Sequence, residues 1–367
     1  MLFYITEEIA SEAEKNNTRV IEVLEFVAQS HLYGRHIMFS SRAILERLSK
    51  LSFFNDKRTI SVFKAILSKY STFGSILKVI SLRVQLVLGE QFQVLTDADG
   101  YKIIYCPIIC KSLENLMMGT ELLGENVEEI FMYGFMGKYY LRKVNMKINT
   151  FYKELHGGGD TLYIVLKKEA EKESFCLAFL DSDKKWDGGS IGTTLKKVKT
   201  DCSKNKYCTV SYIYSDLYRE IENMIPLKIL EEVSLKSVDW CRGFNDVNAI
   251  VNGGIDVQYY DMKYGMTLKK YRKLKDKTQE RDYVDKQLSC LHPESDNHEE
   301  WMKNLPEDEI ILHGLGDEVL KRSVKYLENN FDCWSENDSL DPILEREWIR
   351  IGREFINWSC AASRIRV

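Results

Sequence analysis

The first 90 residues carry apolar side chains at the spacing of amphipathic helices. In residues 18–31, one helical face is formed by Val20, Val23, Leu24 and Val27. The stretches SSRAILERLSKLS and RTISVFKAILSKYS repeat that spacing. Residues 92–108 alternate instead and contain Asp99-Gly100, which predicts a β-hairpin. The pattern therefore predicts a helical N-terminal domain with a β-hairpin over residues 1–117.

A second pattern, in which short apolar strands alternate with helices, runs from residue 118 to residue 235. Strands are predicted at 119–125, within NMKINTFYKELHGGG, at 175–180 and at 207–214. Strands that are separated by helices imply crossover connections and a mainly parallel sheet covered on both faces. The stretch FCLAFL is apolar throughout, as expected for a strand that is buried on both sides.

The remaining residues, 236–367, predict a mixed accessory region that ends in a helix. Residues 263–286 contain nine Lys or Arg and form a basic patch. The final stretch predicts an amphipathic helix whose apolar side contains Trp348, Ile351, Phe355 and Trp358. We interpret that side as facing the core. The fold class predicted for the chain is α/β, with a mainly parallel sheet flanked by helices between a helical N-terminal domain and this mixed C-terminal region.

The composition limits which binding partners and which cellular location the sequence predicts. The 367 residues include 51 Lys or Arg and 55 Asp or Glu. The chain therefore has no overall positive charge that would indicate nucleic-acid binding, and only a local basic patch could bind nucleic acid. The start of the chain lacks a signal-peptide pattern, and no apolar run approaches the roughly 20 residues that span a bilayer. The nine cysteines include no CxxC pair. We predict reduced thiols, a cytoplasmic location and no membrane partner.

Acidic residues follow three of the predicted strands. Glu125 ends the first strand, Asp181 and Asp183 follow the third, and the segment SDLYREIENMIP follows the fourth. Ligands of a parallel sheet bind at the carboxyl ends of its strands. Carboxylates gathered there repel one another unless a cation neutralises them, and hard oxygen ligands suit Mg²⁺ or Mn²⁺. Such a site can activate water for phosphodiester cleavage.

A DxD motif alone is weak evidence, because turns are rich in aspartate. Asp97 and Asp99 form a second DxD in this chain, in what the pattern predicts to be the hairpin loop. What distinguishes Asp181 and Asp183 is the buried strand before them and the 56 residues that separate Asp181 from Glu125, enough for a helix, a strand and a helix. Glu154 is the alternative to Glu125, but it lies inside a predicted strand rather than after one.

Residues 119–226 resemble a TOPRIM domain, the fold shared by topoisomerases, bacterial primases and the OLD-family nucleases. The resemblance implies that Glu125 and Asp181 hold a catalytic metal and that Asp183 supports it. The REIEN segment is similar to an acidic-Asn element of the OLD-like branch, which implies that Glu222 binds a second ion.

Other positions extend the resemblance or depart from it. Glu129 lies four residues after Glu125, where the family often has an acid, so a metal role is implied for it as well. Asn126 stands where glycine is usual. No GxxxxGK[ST] motif occurs, so the ATPase half of OLD proteins is not in this chain. The resemblance implies a Mg²⁺- or Mn²⁺-dependent nuclease in defence against phage, with an ATPase or sensor supplied by a separate protein.

Basic side chains near the predicted metal site are candidates for binding the phosphate backbone of DNA or RNA. These are Lys184, Lys185, Lys196, Lys197 and Lys199. The alternative is that they form only a solvated face. Lys263 is a candidate cation for stabilising the transition state. Gly157–Gly159 are either a plain turn or a backbone approach to phosphate.

Three alternative functions can be compared with the sequence. A topoisomerase would need a nucleophilic tyrosine, and none of the 20 tyrosines stands out. A primase would need a nucleotide site that the sequence does not reveal. The alternative of a different class is a catalytically inactive TOPRIM-like subunit that regulates, or is recruited by, a partner ATPase. Homo-oligomerisation is left open.

Overall fold

The computed structural model describes residues 1–110, 112–293, 298–337 and 340–365. Its strands are β1 (Leu2–Tyr4), β2 (Ile37–Phe39), β3 (Leu82–Val87), β4 (Gln93–Thr96), β5 (Lys102–Pro107), β6 (Thr120–Gly124), β7 (Asn149–Thr150), β8 (Tyr152–His156), β9 (Cys176–Leu180), β10 (Val210–Tyr214), β11 (Gly265–Thr267), β12 (Ile310–His313) and β13 (Cys360–Ala361).

The α-helices account for most of the remaining regular structure. They are α1 (Glu7–Glu14), α2 (Thr18–Leu32), α3 (Arg42–Leu48), α4 (Lys57–Ser68), α5 (Tyr70–Ile76), α6 (Leu113–Met117), α7 (Val127–Lys143), α8 (Leu162–Glu171), α9 (Thr193–Asn205), α10 (Leu227–Ser234), α11 (Val238–Asn252), α12 (Leu268–Tyr271), α13 (Gln279–Leu291), α14 (His298–Trp301), α15 (Val319–Asn337) and α16 (Pro342–Ser359). None of the described helices is both long and apolar enough to cross a membrane.

The backbone groups into two compact units. The first unit comprises Met1–Phe179, Lys197–Ile213 and Trp348–Val367. The second unit comprises Leu180–Lys196 and Tyr214–Glu347. These units do not coincide with the three regions expected from the sequence, and that three-part division stays a prediction.

The N-terminal part of the first unit contains a five-stranded sheet in the order β2-β1-β3-β5-β4. Strand β1 is parallel to β2 and β3, and β3 is parallel to β5. The expected hairpin is present as the antiparallel pair β4–β5. The expectation of a wholly helical stretch over the first 90 residues is wrong, because β1, β2 and β3 lie within it. β1 and β2 have three residues each, too few to produce an alternating pattern, so their pairing with neighbours decides their conformation.

The second sheet of the first unit has the order β10-β9-β6-β8, with β6 parallel to both β8 and β9. All residues of β9 are buried, as its unbroken apolar run predicts. The α/β class with a parallel sheet flanked by helices is therefore confirmed. Helix α16 packs its apolar side into this unit: Trp348 is 5.6 Å from Tyr139 and Phe355 is 6.3 Å from Phe179, measured between ring centroids.

The second unit begins at the last residue of β9 and includes the loop that follows this strand. It also contains the segment after β10, the helices α10, α11, α13 and α15, and the antiparallel pair β11–β12. Its core includes Ile229 and Leu230 of α10 and Val247 and Ile250 of α11, all fully buried. The residues after the carboxyl ends of β9 and β10 thus belong to one compact unit.

Candidate acidic site

The DSD segment directly after β9 is held by the segment that follows β10. Asp181 Oδ1 accepts a hydrogen bond from the Ile221 backbone N–H at 3.0 Å. The Asp183 backbone N–H donates to the Arg219 carbonyl oxygen at 2.9 Å. A hydrogen bond from a backbone N–H to a carboxylate oxygen helps to fix the orientation of that carboxylate. The two loops therefore present their acids to the same region of the second unit.

Asp183 has an unusual backbone conformation. Its φ is +55°, in the left-handed region, which aspartate tolerates better than most residues. The loop also approaches Gly192 closely, because a Cβ at that position would overlap Asp183 Oδ2 and lie 2.7 Å from Asp183 Cγ. The Gly192 backbone N–H donates to the Ser182 carbonyl oxygen at 2.8 Å. A side chain at position 192 is therefore incompatible with the observed position of the Asp183 carboxylate.

Glu220 and Glu222 lie at the start of a short 3₁₀ helix whose geometry is fixed by Asn223. The Asn223 side-chain oxygen accepts from the Glu220 backbone N–H at 3.1 Å. Its side-chain nitrogen donates to the carbonyl oxygens of Val257 and Tyr260 at 2.8 and 2.9 Å. The asparagine of REIEN thus fixes both acids against the loop before Lys263.

Two cations are placed among these acids. Lys263 Nζ lies 3.1 Å from Glu222 Oε1 and 3.3 Å from Glu220 Oε2. Arg219 Nε is 3.1 Å from Glu220 Oε1, and one of its terminal nitrogens is 3.1 Å from Asp261 Oδ2. The side chains of Glu220, Glu222 and Asp261 are between 2 and 17% exposed, so these pairs are largely shielded from water.

We define the acidic site as the carboxylates and cations of the second unit that these contacts join: Asp181, Asp183, Glu220, Glu222, Asp261, Arg219 and Lys263. Five carboxylates and two cations leave a formal charge of −3 when all are ionised. An excess of this kind in a shielded position favours either protonation or the binding of a cation.

The pKa values within the acidic site shift in the directions that this charge predicts. Burial, followed by the charge of Glu220, raises the pKa of Asp183. Burial also raises the pKa of Glu222 although Lys263 opposes that shift. Burial disfavours the charge on Lys263, but Glu222 and Glu220 outweigh it, so the pKa of Lys263 is raised and the lysine stays charged.

The donor chemistry of the acidic site fits a hard divalent cation. Glu222 Oε2 is buried and has no hydrogen-bond partner among the described residues. An unpaired buried carboxylate oxygen is costly, and carboxylates are the preferred ligands of Mg²⁺ and Mn²⁺. No group of three or more His, Cys, Asp or Glu side chains in the described part of the chain is already gathered closely enough to hold a metal ion.

Glu125 and Glu129 lie in the first unit, at the start of α7. Glu129 is buried, and its Oε2 accepts from the Glu125 backbone N–H at 2.8 Å. The Asn126 side-chain oxygen accepts from the Glu129 backbone N–H at 3.0 Å, and its side-chain nitrogen donates to Glu129 Oε1 at 3.1 Å. This arrangement caps the helix. Glu129 thus has a structural role at the start of α7, and the metal roles of Glu125 and Glu129 stay predictions.

Asn126 thus has a local structural role as the N-cap of α7. Glu154, the alternative to Glu125, is in the middle of β8 opposite Leu122 of β6. It therefore does not follow the end of its strand. This placement agrees with the preference for Glu125.

Lys184, one of the predicted phosphate contacts, is paired with an acid. Its side chain is only 10% exposed, and its Nζ lies 2.7 Å from Asp216 Oδ1 and 3.1 Å from the Asp216 carbonyl oxygen. Lys185 is 61% exposed, 3.6 Å from Glu280. The sequence could not distinguish these two adjacent lysines, but the turn after β9 places their side chains in different environments.

Helix α9 carries the other predicted phosphate-binding lysines. Lys196 and Lys197 are exposed, while Leu195 and Val198 on the opposite side are fully buried. Lys199 is half-buried. The amphipathic spacing is as expected, and the phosphate-binding role of this face stays a prediction.

The glycines after β8 do not present free backbone donors at two of the three positions. The Gly157 N–H donates to the Gly124 carbonyl at 2.9 Å and the Gly158 N–H to the Glu125 carbonyl at 3.3 Å. Gly158 and Gly159 have positive φ values of +56° and +50°, as a turn requires. These contacts favour the plain turn over phosphate binding.

The hairpin loop also behaves as a turn. Asp97 Oδ1 accepts from the backbone N–H groups of Asp99 and Tyr101 at 3.0 and 2.8 Å, and Asp97 Oδ2 is 2.9 Å from an Arg83 nitrogen. This DxD therefore closes its own loop.

Sequence reasoning missed Arg219 as a member of the acidic site. Arg219 directly precedes the EIEN acids. An arginine beside a run of acids was the available signal. Comparisons of the chain with protein-family models, curated proteins and solved structures give no match.

Proposed function

We propose that the acidic site binds Mg²⁺ or Mn²⁺ and cleaves phosphodiester bonds of DNA or RNA. The observation that carries this proposal is the excess of carboxylates over cations, together with the buried and unpaired oxygen of Glu222. Asp181, Asp183 and Glu222 are the residues that would hold the cation. A bound divalent cation supplies an activated water and stabilises charge on the leaving oxygen.

The residues of the chain itself have separate roles in this proposal. The Ile221 N–H keeps the Asp181 carboxylate oriented, and Gly192 leaves room for Asp183. Lys263 is 29% exposed, so its ammonium can donate to an anionic phosphate oxygen while it remains beside Glu222. Glu125 enters the proposal only through the resemblance of the sequence. The same holds for a role in defence against phage.

Cleavage assays test the proposal directly. The protein is incubated with supercoiled plasmid, single-stranded DNA and tRNA, with Mn²⁺ or with EDTA. We expect cleavage of at least one substrate that depends on the cation. Asp181→Asn should abolish cleavage because it removes the charge, while the remaining side-chain oxygen can still accept from Ile221. Asp99→Asn is the matched control in the other DxD and should cleave as the wild type does.

A second candidate function is supported by the position of Lys263. Its ammonium already pairs with Glu220 and Glu222, as it would in a site that never receives a metal ion. This arrangement favours a catalytically inactive module, for which a partner ATPase is implied only by the resemblance of the sequence. The two candidates differ in a simple measurement: an inactive module should show no change in melting temperature when Mn²⁺ or Mg²⁺ is added, whereas a metal-binding site should be stabilised.

A further inference from the structure

A cavity of about 540 Å³ lies within the second unit, beside the acidic site. Its volume falls in the range of about 300–1,000 Å³ that is typical of small-ligand pockets. Arg219 and Asp261 line the cavity and also belong to the acidic site, where Arg219 bridges Asp261 and Glu220. A ligand in the cavity would therefore lie next to the carboxylates proposed to hold the metal.

The wall of the cavity is rich in aromatic side chains. Tyr259, Tyr260 and Tyr283 line it together with apolar residues such as Met266 and Val284. The rings of Tyr259 and Tyr283 meet edge to face, with centroids 6.0 Å apart and an angle of 76° between their planes. Tyr259 and Tyr260 are only 4 and 2% exposed, so their positions are set by packing. A rigid aromatic wall of this kind suits a flat, weakly polar ring.

Gln287 adds an unsatisfied polar group to the same cavity. The residue is 2% exposed, and its side-chain nitrogen makes no hydrogen bond within the described part of the chain. The amide lies beside the Tyr283 hydroxyl and opposes the rise in the pKa of that tyrosine. A buried amide donor without a partner is unfavourable. A ligand acceptor, such as the edge of a nucleobase, would satisfy it.

The charges around the cavity have the opposite sign to those of the acidic site. Four cations and two carboxylates line it, which leaves a formal charge of +2; they are Lys185, Arg219, Lys270, Lys273, Asp261 and Glu280. Arg219 is paired with Asp261, and Lys185 is 3.6 Å from Glu280. The positive excess therefore comes from Lys270 and Lys273, both of which are exposed. Exposed lysines at the edge of an aromatic cavity suit the phosphates of a nucleotide.

We propose that this cavity binds the base of an unpaired nucleotide in a polynucleotide strand, with Lys270 and Lys273 contacting the adjoining phosphates. The inference rests on the proposed nuclease function and deepens it, because it names the substrate class. A base that is stacked and paired inside a duplex cannot enter a cavity of the protein, so the preferred substrate is single-stranded or has a base flipped out. DNA and RNA share this chemistry, and the experiment separates them.

Binding in EDTA tests the cavity without relying on cleavage. Fluorescein-labelled single strands of about 12 nucleotides, a length within the site sizes of single-strand binders, are titrated as DNA and as RNA, beside the matching duplexes. We expect single strands of at least one type to bind at least about tenfold more tightly than their duplex, the difference of one base stacked on an aromatic ring. Tyr283→Leu should weaken that binding about tenfold, whereas Tyr283→Phe keeps the ring and should weaken binding much less.

Substitution of the two exposed lysines at the cavity provides a second variant. It still tests the proposal if Tyr283→Leu does not fold. Lys270→Gln with Lys273→Gln should weaken single-strand binding and reduce the slope of log affinity against log salt concentration. Lys269→Gln with Lys286→Gln removes the same charge at exposed positions outside the cavity and should change neither.

Two sets of results would overturn the inference while leaving the proposed function standing. One is cation-dependent cleavage accompanied by equal affinity for duplex and single strand, or by unchanged affinity in both the Tyr283→Leu and the Lys270/Lys273 variants. The other is tight binding of free AMP or UMP without binding of the strands, which would make the cavity a mononucleotide site. Single-strand binding that depends on Tyr283 without any cleavage would overturn the proposed nuclease function and leave the cavity assignment intact.

Discussion

Lys263 Nζ lies 3.1 Å from Glu222 Oε1, while the other oxygen of the same carboxylate is buried and has no hydrogen-bond partner among the described residues. The single charge of Lys263 therefore neutralises only part of the negative charge of the surrounding carboxylates. Burial alone would favour a protonated Glu222, and Lys263 is the group that opposes this. The pair makes the acidic site sensitive to any change in local charge.

Replacing Lys263 with methionine should destabilise the protein when no divalent cation is present. The change leaves the buried carboxylates of Glu220 and Glu222 without their shared cation, which typically costs about 3 kcal/mol or more. If the acidic site binds Mn²⁺, added Mn²⁺ should restore more stability in Lys263→Met than it adds to the wild type. Chemical denaturation with EDTA or Mn²⁺ measures both effects.

Lys228→Met is the control for this experiment. Lys228 is paired with Glu231 on an exposed helix face, where loss of one partner costs less than about 1 kcal/mol. An equally small loss in Lys263→Met, unaffected by Mn²⁺, would contradict the role assigned to the Lys263–Glu222 pair.

Gly192→Ala should displace the Asp183 carboxylate. The added Cβ would overlap Asp183 Oδ2, so the loop after β9 or the aspartate side chain must move. Crowding of this kind typically costs about 1–3 kcal/mol. We expect a lower melting temperature and a smaller stabilisation by Mn²⁺ than in the wild type.

Gly74→Ala provides the comparison, because nothing lies within 4 Å of the Cβ that it adds. It should leave the Mn²⁺ response unchanged. If Gly192→Ala responds to Mn²⁺ as fully as Gly74→Ala does, Asp183 is not a ligand of the cation.

Glu121 should make stability depend on pH near neutrality. Burial, reinforced by neighbouring Glu169, raises the pKa of Glu121 from 4.5 to about 7. Glu169 keeps its charge beside Lys172, 2.6 Å away. Between the usual and the raised pKa of Glu121, the folded protein retains a proton that the unfolded chain releases. The free energy of unfolding therefore falls as pH rises from about 4.5 to about 7. Glu121→Gln cannot ionise and should lose this fall.

Denaturation curves of the wild type and Glu121→Gln at about pH 5 and about pH 8 check this prediction, since these values bracket most of the titration. We expect similar stability at the lower pH and a more stable variant at the higher pH. Glu154→Gln, on an exposed position of β8, should follow the wild type at both. A variant whose advantage is the same at both pH values would rule out titration of Glu121 as the cause.

The exposed lysines of α9 should contribute to nucleic-acid binding through charge alone. Replacing Lys196 and Lys197 with glutamine should weaken binding to all sequences and reduce the slope of log affinity against log salt by up to about 2, or about 1 for each lysine that contacts a phosphate. Lys167→Gln with Lys168→Gln makes the same charge change on α8. An identical slope in the wild type and in the α9 variant would return these lysines to the solvated-face alternative.

Much of the local structure follows from the amino-acid sequence by itself. The unbroken apolar run of β9 predicts a strand buried on both faces, because no polar alternation is needed where neither face meets water. The apolar side of α16 predicts core packing, and Trp348 and Phe355 are buried as expected. The hairpin β4–β5 follows from its Asp-Gly turn. Each of these signals lies within a few consecutive turns or strand residues.

The positions of individual charged side chains were decided by tertiary structure. Lys184 and Lys185 are identical neighbours, yet one is tied to Asp216, 32 residues away, and the other is exposed. Arg219 and Asp261 join the acidic site through an ion pair across 42 residues. The short strands β1 and β2 likewise form only because they pair with each other and with β3. Local spacing specifies which face of an element is apolar, but it carries no information about which distant loop will supply a charge to that face.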